Sequence, residues 1–490
     1  MVFNRPDFSP SSKVEKSKIF LTGLAVFAAT FAPRLYRIDN PVADWHSWRQ
    51  ADTAAVARNF VKGNFNLLYP QSDSLLPLNP KQLENPQRLF INEFPFYNAI
   101  VALLYRTFGI NEAIARLVSV FFASLGAVFL YLFTLKLFKP KVALIAAFFY
   151  AFNPYNIYYG RVIMPDPTFV SLSIISLYFF VLWVKSNRWR DAFLTSLTLA
   201  LAVLVKPYAL FVALPMVYFV LAHKKAAVFK NPQAYFIAFF SLAPFVLWRY
   251  HYLAHPEANF DTNWLFNQTG IRFTGAYFRW LIFERLNRLI FATGGFVLFI
   301  VGILNSYQDR NRRLVLTWLI SVVLYLVIFA MGNVTHDYYQ LPLLPVGSIL
   351  VALGFWFLVD QAKSWGGKVF SAAAAAALLV ISFGFGWYEV RGFFNVNHWE
   401  IVAAGQAVDR LTPKDALVIA AYDADPAFLY QTNRSGWPLG VDIEDKIAAG
   451  ATHYVTVNFD SVASYFEDRC QTLEKTDQYL ILDLTDCTGL

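Results

Sequence analysis

Residues 141–184 read KVALIAAFFYAFNPYNIYYGRVIMPDPTFVSLSIISLYFFVLWV. After Lys141 the run to Tyr159 holds no Asp, Glu, Lys or Arg, and neither does 167–184. A membrane span needs about 20 mostly apolar residues, so the stretch reads as two spans joined by the short loop Tyr158–Pro167. A carboxylate at such a boundary is costly unless it meets water or a partner, which makes Asp166 a candidate functional group. The plainer alternative is a helix cap, since Asp before Pro is ordinary at a helix start.

The same pattern continues in both directions. Apolar runs at 18–35, 112–135, 141–159, 167–184, 191–206, 207–222, 234–252, 291–305, 314–331, 341–359 and 368–388 predict about 11 transmembrane helices. Over the 490 residues, 57% are hydrophobic and 15% charged; soluble domains have about 25% charged residues. Mean hydropathy is +0.42. These values exclude a soluble enzyme, a disordered chain and a coiled coil. Two cysteines exclude a disulfide scaffold and a Cys-based zinc module.

Charge sets the expected orientation. Segment 94–109 is short and carries Arg106, so it reads as an amphipathic helix in the outer interface. With that helix outside the count, the basic clusters fall on one side: Arg5 to Lys18, Lys136 to Lys141, Lys185 to Arg190, Lys224 to Lys230, Arg310 to Arg313, and Lys363 with Lys368. Only Arg161 and Lys206 remain in the opposite short loops. The positive-inside tendency then puts the N-terminus in the cytoplasm. The net charge of +8 reports orientation and anionic lipid, not nucleic acid. The predicted organisation is a membrane domain over 1–388, with an outer loop at 36–111, and a small exoplasmic α/β domain over 389–490. Strand-like runs at 416–422, 452–458 and 479–484 alternate there with helical stretches at 399–411 and 442–449. Cys470 and Cys487 lie in that domain; a disulfide and two free thiols are equally compatible with their position.

The candidate chemistry collects on the outer face. Asp44-Trp45-His46-Ser47-Trp48-Arg49-Gln50-Ala51-Asp52 opens the first outer loop, and helical spacing through Arg58 predicts a helix over 47–62. Glu93 precedes Pro95. Lys206 sits between two apolar runs, placed to bind an anionic headgroup or merely to snorkel. His336, Asp337, Tyr338 and Tyr339 add an imidazole, a carboxylate and two phenols in the loop 332–340. One His and one Asp are too few for a metal site, and no phosphate-binding Gly-rich loop occurs.

The order of these features resembles the GT-C fold glycosyltransferases of the protein O-mannosyltransferase and lipid A aminoarabinose transferase superfamily. The matching elements are Ala-x-x-Ala-Arg (Ala54–Arg58), Glu93-Phe94-Pro95, Phe-Gly-x-Asn-Glu-Ala-x-x-Arg-Leu (Phe108–Leu117), Lys136-Leu137-Phe138, and Asn153-Pro154 followed by Arg161-x-x-x-Pro165-Asp166. The resemblance is best over 40–225 and continues through 345. It implies a cell-envelope enzyme that transfers a sugar from a polyprenyl-phosphate donor to an acceptor (lipid, glycan or protein) outside the inner membrane, with inversion. It requires no cofactor and permits a divalent metal. It also implies roles. The family's catalytic Asp-Glu pair falls on Arg49-Gln50 here, so Asp44, Asp52 and Asp166 are the candidate bases. Donor contacts are expected from His46, Arg49, Gln50, Arg58, Glu93, Arg161, Lys206, His336 and Tyr338. The family Lys next to Glu93 is replaced by Phe94.

Two other classes fit a multi-pass chain. A polyprenyl-linked glycan polymerase or flippase would share the outer polar face. A secondary transporter would carry repeats and midplane polar groups; no repeat is visible and the polar groups lie at the outer edge.

Overall fold

The computed structural model describes residues 13–77, 79–307 and 309–489; Arg5, one of the basic residues assigned inward, lies outside them. Every apolar run singled out in the sequence is helical, yet lengths differ. Among the described residues seven helices are long and apolar enough to cross a membrane, or up to eight if one bent pair counts as a span.

The differences have local causes. The run 141–159 is not one helix but two, Pro140–Phe152 and Pro154–Tyr159. Pro154 offers no N–H and pushes the preceding Asn153 into extended backbone. Asn153 then caps the second helix by accepting from Asn156 N–H. A 13-residue helix reaches only about 20 Å, short of the ~30 Å hydrocarbon layer. Helix Trp189–Val205 likewise stops at Lys206 because Pro207 follows. The stretch Gly275–Ile290 turns by 114° into Gly294–Leu304, and Ala292 and Thr293 at the bend have positive φ of 46° and 53°.

Several of the longer helices start on side-chain caps. Asn111 accepts from Ala113 N–H before Glu112–Leu137, Asp309 from Arg312 N–H before Arg310–Ile328, and Ser364 from Gly367 N–H before Trp365–Val390. Helix Gly294–Leu304 packs on Leu343–Gln361 backbone to backbone: a Cβ at Gly302 or Gly354 would collide with the carbonyl oxygen of Leu350 or Leu298.

The layer that caps the bundle contains helix Ser47–Lys62, as expected, and helix Phe96–Phe108. The latter is amphipathic: Tyr97, Val101 and Tyr105 are buried while Leu103 and Phe108 are exposed. Beyond the bundle stands a five-stranded sheet, β1 (Leu417–Ala421), β2 (Ser435–Trp437), β3 (His453–Thr456), β4 (Gln471–Lys475) and β5 (Leu480–Asp483), in the order β2-β1-β3-β5-β4. β1 is parallel to β2 and β3; β5 is antiparallel to both its neighbours. Cys470 and Cys487 form a disulfide.

This sheet is sewn to the loop that follows helix Ser47–Lys62. Leu75 N–H donates to Gly436 C=O (2.7 Å) and Gly436 N–H to Asp73 C=O (3.0 Å), so the loop continues the sheet past β2. Arg58 pairs with Asp73 and donates to Tyr430 C=O at 3.0 Å, with its guanidinium 4.1 Å from the Tyr430 ring centre. One continuous buried core runs from Val42 through the helices to Phe428 and Ile481.

Candidate active site

His46 has left-handed backbone (φ 56°) and turns the chain into helix Ser47–Lys62. Arg49 and Asp52, three residues apart, then look the same way. They open on a cavity of about 350 Å³ also lined by Glu93, Lys206, Arg249 and the rings of Trp48, Tyr208, Trp264, Tyr338 and Tyr339. Trp48 therefore faces this cavity, whereas Val56 and Phe60 on the same helix pack into the core.

Four charged groups interlock at its wall. Arg49 Nη2 lies 2.6 Å from Glu93 Oε2. Lys206 Nζ lies 3.4 Å from Glu93 Oε1 and 3.2 Å from Asp166 Oδ1. Three phenol rings surround the ammonium, with centres at 5.9 Å (Tyr208), 5.6 Å (Tyr338) and 5.5 Å (Tyr339). Burial alone would raise the Glu93 carboxyl, but Arg49 and Lys206 outweigh it and hold it below the ordinary carboxylate range. Asp166 is buried behind Lys206; it is absent from the cavity lining, and its Oδ2 has no hydrogen-bond partner.

The three candidate bases thus occupy different environments. Asp44 is sealed: Arg161 Nη2 lies at 2.7 Å and Arg116 Nη2 at 3.8 Å from its Oδ2, all three side chains having no exposure. Gln50 Nε2–H fills its other oxygen at 2.6 Å, and Gln50 Oε1 accepts from Ile163 N–H. Asp166 is held by Lys206. Asp52 alone lines the cavity without a hydrogen bond or ion pair among the described residues. Burial pushes its carboxyl up to about 7; Arg49 opposes the rise, while Asp425, Asp73 and Glu93 add to it.

A second cluster backs the cavity. Asp337, a loop carboxylate not among the residues assigned to the site from the sequence, accepts from His46 Nε2 at 2.7 Å, from Trp45 Nε1–H at 3.2 Å and from the Tyr159 hydroxyl. Trp48 Nε1–H donates to His46 Nδ1 at 3.3 Å, which leaves Nε2 as the imidazole's donor. Burial raises Asp337, but His46, Tyr159 and Arg285 bring it below the usual range. His336 stacks on Tyr338 (ring centres 5.4 Å apart) and meets Trp48 at 5.2 Å and Trp264 at 5.5 Å. Burial, helped by His46, drops His336 to about 4.

The structure therefore brings Arg49, Asp52, Glu93, Lys206 and Tyr338 to one cavity, with Asp166, His46 and His336 behind them. It does not bring Asp44, Gln50, Arg161 or Arg58 there. The first three form a closed set, and Arg58 turns to Asp73 and Tyr430. Arg249 was missed, although a lone cation in the otherwise uncharged run 234–252 is the signal that could have found it. Among the described residues no group of three His, Cys, Asp or Glu side chains gathers at metal-ligand spacing.

The family model for dolichyl-phosphate-mannose-protein mannosyltransferases matches residues 92–251, which include Glu93, Asp166, Lys206 and Arg249. No curated protein matches the sequence. Among solved structures, ArnT from Cupriavidus metallidurans bound to undecaprenyl phosphate is similar over 96% of this chain and 98% of its own, at 14% identity and a TM-score of 0.62. The apo form gives 0.64 over 95% and 98%, also at 14% identity. The oligosaccharyltransferase of Archaeoglobus fulgidus is similar over 88% of this chain and 69% of its own, at 12% identity and a TM-score of 0.57. The resemblance read from the motif order is borne out in three dimensions: this chain has the fold of the GT-C glycosyltransferases.

Proposed function

We propose that the protein is an integral membrane glycosyltransferase that moves a sugar from a polyprenyl-phosphate donor to an acceptor hydroxyl on the outer face of the cytoplasmic membrane. The observation that carries this reading is the cavity at one end of the apolar helices, where Arg49, Lys206 and the unpartnered carboxylate of Asp52 converge. Undecaprenyl phosphate in ArnT and dolichol phosphate in the Archaeoglobus fulgidus enzyme support the donor class. The disulfide supports placing the C-terminal domain in an oxidising compartment, and the basic clusters support a cytoplasmic N-terminus.

Asp52 is the base in this reading. A carboxylate with its pKa near the working pH is ionised often enough to accept a proton and basic enough to drive the transfer. The acceptor oxygen bonds to the anomeric carbon, and its proton passes to Asp52. The bond from that carbon to the phosphate oxygen breaks, its electron pair leaving with the polyprenyl phosphate, whose charge grows by one. Lys206 and Arg49 face the place where that charge develops. Asp166 and Glu93 hold the two cations in position. A single displacement inverts the anomeric centre.

The test compares lipid-linked and surface glycans, by mass spectrometry, in cells with and without the gene and in null cells carrying Lys206→Met. The reading expects a glycan lost from its acceptor in the null, donor accumulating, and no rescue by the variant. An unchanged glycan and donor profile in the null overturns it.

A further inference from the structure

The cavity wall is electrostatically spent. Arg49 and Lys206 supply two positive charges, and Glu93 and Asp166 answer with two negative ones at 2.6–3.4 Å. An incoming phosphodiester brings a further negative charge, and Asp52 adds another when ionised. Some cation not already committed to a carboxylate is needed to draw a phosphate in and hold it.

Arg249 is that cation. It lies one turn from the end of helix Pro232–Leu253 and lines the same cavity. No carboxylate comes within ion-pair distance of it among the described residues, not even Asp261 on the exposed rim of the cavity. A snorkelling arginine would sit on the lipid-facing side of its helix. Here the lipid-facing side includes Leu247 and Tyr250, 70% and 77% exposed, and Arg249 leaves the helix at its border, between Leu253 on that side and Tyr252 on the buried one. From that border its side chain lines the cavity beside Tyr252, which is 5% exposed. Its guanidinium lies 3.8 Å from the Tyr252 ring centre, a contact that fixes the fork without neutralising it.

Resting on the proposed function, we infer that Arg249 is a donor-binding residue: its guanidinium takes the phosphate of the polyprenyl-phosphate sugar as the donor enters the cavity. It acts on binding, with Lys206 and Arg49 left to meet the charge that grows as the sugar departs.

The test uses the full chain in nanodiscs with undecaprenyl phosphate as the probe, comparing wild type, Arg249→Gln and Arg249→Lys, each checked for unchanged thermal unfolding. Loss of a charge-assisted phosphate contact is expected to weaken binding about tenfold or more in Arg249→Gln, with Arg249→Lys recovering part of it. In transfer assays the same substitution is expected to raise the donor KM while kcat stays near wild type. A second arm replaces the probe with phosphatidylglycerol. Weakening confined to undecaprenyl phosphate supports the inference, and equal weakening for phosphatidylglycerol assigns Arg249 to bilayer headgroups and overturns it. Wild-type affinity in a folded Arg249→Gln overturns it alone, whereas a wild type that binds no polyprenyl phosphate overturns the proposed function with it.

Discussion

Replacing Asp52 by Asn removes one proton acceptor and nearly nothing else. The side chain has no hydrogen bond or ion pair to lose among the described residues, so the fold and the Arg49–Glu93–Lys206 cluster should persist. A positioned general base contributes about 10²–10⁴ in rate, equivalent to roughly 3–5 kcal/mol of barrier. Asp52→Asn is therefore expected to lower kcat by that factor with little change in donor KM. The pH profile carries the finer signature. With a carboxyl near 7, about half the enzyme is in the basic form at neutral pH and about a tenth one unit lower. Activity should fall with decreasing pH through an acidic limb centred near 7. Arg49 pulls the Asp52 value down, so Arg49→Met should move that limb to higher pH, whatever it does to KM. The assay adds purified protein to membranes of a null strain, which supply both donor and acceptor, and follows transfer of the labelled sugar. A folded Asp52→Asn enzyme with wild-type kcat, or a profile flat between pH 6 and 8, refutes the assignment.

Other outcomes separate structure from chemistry. Asp44→Asn leaves Arg161 and Arg116 uncompensated in a sealed site, so it should cost about 3–5 kcal/mol of stability, read as a lower unfolding temperature in detergent and less folded protein in the membrane. Arg58→Ala should leave donor affinity unchanged but loosen the C-terminal domain, seen as faster proteolysis between 390 and 440, because it breaks the contacts to Asp73 and Tyr430. His336, with its pKa near 4, is neutral throughout the working range, so His336→Gln should add or remove no limb between pH 6 and 8. Opening the Cys470–Cys487 loop by Cys487→Ser should cost about 3 kcal/mol on the chain-entropy estimate, measurable as earlier unfolding of the sheet domain.

Much of the architecture was readable because apolar length and charge asymmetry are local signals. The helix 47–62 and the strands β1, β3 and β5 announce themselves within a few residues, whereas the short β2 and the largely exposed β4 do not. Length alone misled at 141–159, where the proline outweighs hydrophobicity. The site was legible only in part, since its meaning lies in partners remote along the chain. Asp44 looks like any loop carboxylate until Arg161, 117 positions on, closes over it. Arg58 looks like a ligand contact until Tyr430 is seen beneath it. Conversely Asp166 and Lys206, forty residues apart in sequence, meet at 3.2 Å because adjoining helices deliver both to the same edge.

The edge-to-edge join between Ser74 and Gly436 has a bearing on biogenesis. The loop that carries Arg49 and Asp52 is made before the strand that locks its far end, Gly436 following Ser74 by 362 positions. Until that strand arrives and pairs, the segment after Arg58 lacks its anchor. Closure of the cavity's loop thereby waits on a strand made after the intervening helices, and a chain that has these helices but not yet Gly436 should hold the loop open.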